Sequence, residues 1–65
     1  MTKREKKVVD VLEALIRLRQ RQIIRENDKE EILSLYNQKN AYRECIYLLT
    51  DDEFLESMIN FYKDF

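Results

Sequence analysis

Glycine, proline, tryptophan and histidine are all missing from this 65-residue chain, and cysteine occurs once. Each absence excludes something. Without glycine the chain lacks the usual residue for turns that need positive φ, so tight β-hairpins are disfavoured. Without histidine it lacks the commonest general base and the commonest metal ligand. A single cysteine allows no intrachain disulfide and no thiolate metal cage. No apolar run approaches the ~20 residues of a membrane span. The basic start, Met1 to Lys7, is not followed by the apolar stretch and small-residue cleavage site of a signal peptide, so a reduced, cytoplasmic setting is expected.

Hydrophobic residues make up 45% of the chain and charged residues 38%, with net charge −1. That composition is neither disordered nor membrane-embedded. At 65 residues there is room for one domain. Most of the residues are good or acceptable helix formers, so helices and the breaks between them carry the reading.

Two breaks have capping chemistry. At Glu26-Asn27-Asp28-Lys29-Glu30-Glu31, Asn27 or Asp28 can accept from the open N–H groups of a new helix, with an acid three residues on. At Thr50-Asp51-Asp52-Glu53, Thr50 and Glu53 form a second box of the same type, and three acids favour the positive end of the helix dipole. The predicted helices are 3–26, 28–49 and 51–64. At ~1.5 Å per residue the first two match near 35 Å, the mark of an antiparallel helical hairpin, and the third is shorter. The fold class is all-α: a hairpin plus a third amphipathic helix in a small bundle.

Each helix has an apolar face. In the first, Val8, Val9, Val11, Leu12, Leu15, Ile16, Leu18 and Ile23 cover about half the circumference at ~100° per residue. One neighbouring helix rarely needs so wide a face. A chain this short buries only about 60% of its unfolded surface. Together these point to a homodimer, with Val9, Leu12, Leu15, Ile16 and Ile23 at its interface. The second helix carries Ile32, Leu35, Tyr42, Ile46 and Leu49 at 3-4 spacing. The third carries Phe54, Leu55, Met58, Ile59, Phe61, Tyr62 and Phe65 in one stripe.

Charge divides along the chain. Residues 1–25 hold eight Lys/Arg against three Asp/Glu, and residues 26–65 hold four against ten. Lys3, Lys7, Arg17, Arg21 and Arg25 share one polar side of the first helix and could meet a phosphate backbone, although Asp10 and Glu13 interrupt them. The acids Asp51, Asp52, Glu53, Glu56 and Asp64 could imitate phosphates, but capping explains three of the five.

Three cations fall among apolar residues. Arg19 lies between Leu12, Leu15, Ile16 and Ile23. Lys39 sits inside the 32-35-39-42-46-49 seam, and Arg43 lies near Tyr36 and Tyr47. Such residues can snorkel, fix helix register, or form a mixed groove for an acidic partner. Tyr36, Lys39, Arg43, Tyr47 and Arg19 are the candidate partner-binding set, being of types enriched at protein-binding hot spots.

Cys45 is the one candidate nucleophile. It has no histidine to activate it and lies toward a helix C-terminus, so it reads as a small hydrophobe. No cofactor or metal pattern is present. In size and hairpin form the chain resembles the small aspartyl-phosphate phosphatases of spore-forming bacteria, whose Ser-Gln-x-x-Asp signature would fall on the second helix. Ser34-Leu35-Tyr36-Asn37-Gln38-Lys39 stands there instead, without the motif and its Asp, so no family is assigned. The function expected is that of a small non-enzymatic regulator or inhibitor that binds another protein. Nucleic-acid binding by the first helix and a structural role in a larger assembly are the alternatives. The Lys/Glu/Ile/Asn-rich composition suits a low-GC bacterium or its phage.

Overall fold

A computed structural model describes residues 1–63. It consists of α1 (Lys3–Arg25), α2 (Lys29–Thr50) and α3 (Asp52–Tyr62), with no strand among the described residues. The end of the predicted third helix, Asp64, lies outside the described residues, as does Phe65.

Each helix starts on a polar side chain. Thr2 caps α1: its hydroxyl accepts from the Glu5 N–H at 3.1 Å and donates to the Glu5 carboxylate at 3.0 Å. The first bond is that of an N-cap; the second runs between the two side chains and holds Glu5 beside the positive end of the helix dipole. Asp28 caps α2 by accepting from the Glu30 N–H. Before α3 the cap is Asp51, which accepts from the Phe54 N–H at 3.1 Å, and not Thr50. Thr50 stays inside α2 and donates its hydroxyl to the Ile46 carbonyl four residues back, at 2.8 Å. That local bond competes with capping, and aspartate caps at least as well as threonine.

The chain reverses without glycine. No described residue has positive φ. Instead Glu26 and Asp51 leave their helices in extended conformation, with ψ of 141° and 102°. The Glu26 carboxylate then accepts from the N–H groups of Asn27 and Asp28, so the short connection satisfies its own donors. Glu26 therefore lies just outside α1, one residue short of the predicted end.

α1 and α2 run antiparallel and touch along their length, α3 packs on α2, and α1 and α3 do not meet among the described residues. The core is small. Among the described residues Val9 and Leu35 are the buried apolar side chains, ringed by half-buried Leu12, Leu15, Ile16, Ile23, Ile32, Ile46 and Leu49. The five residues expected at a dimer interface are thus already partly covered within one chain. The large apolar residues of α1 left exposed are Val8, Val11, Leu18 and Ile24. On α3 only Phe54 and Met58 are half-buried, whereas Leu55 and Ile59 are exposed. The molecule is a flat plate of 39 × 32 × 14 Å with a radius of gyration of 14.3 Å. A compact 65-residue domain would have a radius of about 11 Å.

Candidate functional site

The hairpin pairs position 19 with 38 and position 20 with 39, so Arg19-Gln20 on α1 faces Gln38-Lys39 on α2. Each cation meets an amide. Arg19 Nε donates to Gln38 Oε1 at 2.8 Å, and its Nη1 donates to Gln22 Oε1 at 3.1 Å. Its guanidinium also reaches the Tyr42 hydroxyl at 3.5 Å and lies 5.8 Å from that ring's centroid. Lys39 Nζ donates to Gln20 Oε1 at 2.9 Å and lies 4.4 Å from the centroid of the Tyr36 ring. Lys39 is only 6% exposed, held between this amide and this ring. A neutral carbonyl accepts from a cation without the cost of bringing a carboxylate into the seam.

This arrangement divides the five residues of the candidate partner site. Arg19 and Lys39 are engaged between α1 and α2 and offer a partner little. Lys39 in particular is covered rather than displayed, because the Tyr36 ring lies over its ammonium. Tyr36, Arg43 and Tyr47 face outward along α2, all exposed. The reading from residue types missed Gln20, Gln22 and Gln38. Their signal was present in the two mirrored cation–amide dipeptides, which become neighbours once the helices pair antiparallel.

The polar layer makes a prediction about stability. Replacing Lys39 with methionine keeps the stem volume and removes an ammonium that lacks an opposite charge. Urea unfolding followed by circular dichroism is expected to show stability unchanged or raised by about 1–3 kcal/mol, as when hydrophobic residues replace buried ionic groups. A loss above ~2 kcal/mol would show instead that the amide and ring contacts outweigh the desolvation of the charge.

On the outer face of α2, Tyr36 and Tyr47 are 47% and 49% exposed, and Arg43 stands between them. Residues 36, 43 and 47 follow one another at seven- and four-residue spacing, so they form one stripe. Tyr47 also holds α3: its ring meets Phe54 edge to face, with centroids 5.7 Å apart and planes at 62°. On α1, Lys3, Lys7, Arg17, Arg21 and Arg25 are all exposed.

Cys45, read as a small hydrophobe, is exposed as well, on the flank of α2 away from the seam. No group of three or more acidic or cysteine ligands suited to a metal occurs among the described residues. No helix of the described chain is long and apolar enough to cross a membrane.

No known family, curated protein or solved structure matches this chain.

What distinguishes the surface is the contrast between its two cation types. Arg19 and Lys39 are tied to neighbouring side chains, whereas Arg43 stands exposed between two tyrosines.

Proposed function

We propose that the chain is a small non-enzymatic regulator or inhibitor that binds another protein through the outer face of α2. The observation that supports this is the stripe Tyr36–Arg43–Tyr47: two half-exposed aromatic rings with a guanidinium between them, on a regular helix. Tyrosine and arginine dominate protein-binding hot spots because each combines apolar area with directional polar groups. The rigid helix lowers the ordering cost of binding.

The runner-up is nucleic acid, supported by five exposed cations on α1. The acids at Asp10 and Glu13 interrupt that row, and the α2 stripe has no such interruption. The two readings differ in salt dependence, since each phosphate contact releases counterions. Affinity capture from a lysate of the source cells, with and without nuclease, identifies the partner, which is then titrated in purified form. Tyr36→Ala with Arg43→Ala is expected to weaken binding by roughly 30-fold or more, as two hot-spot truncations do, with helicity unchanged. Loss of capture on nuclease treatment, steep weakening with salt, and abolition by Arg17→Glu, Arg21→Glu and Arg25→Glu would replace this reading with the runner-up.

A further inference from the structure

α1 carries a second apolar seam that its own chain leaves open. Val8, Val11, Leu15 and Leu18 follow one another at 3-4-3 spacing, the repeat of a coiled-coil stripe. Gln22 continues the stripe and bonds Arg19, which places the stripe on the Arg19 flank of the hairpin. Val8, Val11 and Leu18 are exposed, Val11 at 59%. Near the N-terminus the stripe becomes a shallow groove with apolar walls, lined by Arg4, Lys7, Val8, Val11 and Leu12.

α3 has the complementary character. Its exposed Leu55 and Ile59 are one turn apart, and Asp52 and Glu56, also one turn apart, lie beside them at ~100° per residue. α3 and the α1 groove belong to the same end of the molecule, where Met1, Thr2 and Glu5 line a cleft with Leu49, Thr50 and Asp52. Yet among the described residues α3 does not pack on α1 of its own chain.

We propose that a second copy fills the groove: α3 of each chain packs on α1 of the other, about a two-fold axis at that end. Leu55 and Ile59 meet Val8 and Val11, and Asp52 and Glu56 meet Arg4 and Lys7. The exchange is mutual, so it closes as a dimer and does not propagate. Surface area agrees. The chain exposes 5615 Å², against about 4,450 Å² for a folded monomer of this mass. The excess, roughly 1,200 Å², exceeds the ~800 Å² that each partner contributes to a standard interface. Charge agrees too, since the groove has basic edges and the exposed side of α3 is acidic.

Sedimentation equilibrium of the full chain across 1–100 µM, as order-of-magnitude bounds for a modest interface, is expected to show a dimer. Arg4→Glu with Lys7→Glu should shift the dissociation constant upward at least tenfold. Adding Asp52→Lys and Glu56→Lys to that variant should recover most of the loss, because the exchanged charges face each other again. Val11→Lys changes an exposed position, so helicity should hold while the dimer is lost. A monomer throughout that range, a dimer indifferent to Val11→Lys, or failure of the second charge reversal to restore association would each overturn the proposal.

Discussion

Leu35→Ala is expected to lower the midpoint of thermal unfolding by roughly 10–30 °C, followed by circular dichroism at 222 nm. Leu35 is 7% exposed and, among the described residues, is one of two buried apolar side chains. Truncating a buried leucine costs about 2–5 kcal/mol, from lost transfer energy and the cavity left behind. Native domains hold only about 0.05–0.15 kcal/mol per residue, so a chain of this length has roughly 3–10 kcal/mol in all. At about 4–8 °C per kcal/mol for domains of this size, the shift follows. The paired control is Leu33→Ala, two positions away and 61% exposed. It should move the midpoint little, because exposed positions away from special features change stability by only about 0.5 kcal/mol. Equal effects at the two positions would mean that the α1–α2 seam is not where the hairpin's stability resides.

Phe54→Ala is expected to melt α3 and leave the hairpin in place. α3 has 11 residues, fewer than the ~12–15 at which isolated helices become even marginal in water. Among the described residues it packs on α2 alone, with the Tyr47–Phe54 ring pair at the junction. Removing the Phe54 ring takes away the side chain that holds the first turn of α3 against α2. α1 and α2 contribute 23 and 22 helical residues, so the helical signal should fall by about a fifth. Amide exchange should rise over α3 and remain slow in the α1–α2 seam. The proposed dimer uses the other side of the same helix, so it should weaken with it. Retention of full helicity, or collapse of all three helices together, would count against the view that α3 is a separately anchored element.

The extent to which these features could be read beforehand differs by level. The three helices and the hairpin turn follow from local chemistry, because Asp28, Glu30 and the acids after Thr50 act within a few residues of themselves. The error at the last cap is of the same local kind. Thr50 and Asp51 both suit the position, and the bond from Thr50 to the Ile46 carbonyl removes one of them. The embedded cations were recognisable as unusual, but their partners were not. Gln20 and Gln38 are distant in sequence from the cations they serve, and only antiparallel pairing brings them within 3 Å.

Local chemistry along the chain dictates the all-α class, the approximate helix ends, the separation of basic and acidic halves, and the angular position of every side chain on its helix. Each of these rests on neighbours within one or two turns. How the wide apolar face of α1 is divided follows only from the packing of the helices. Val9, Ile16 and Ile23 turn toward α2, while Val8, Val11 and Leu18 stay open. The same packing decides that Lys39 lies beneath Tyr36 while Arg43 does not. Helical periodicity gives direction around one axis and nothing about which axis comes alongside. That choice depends on the summed burial of two helices at once, and among the described residues α3 packs on α2 and leaves the remainder of the α1 face uncovered.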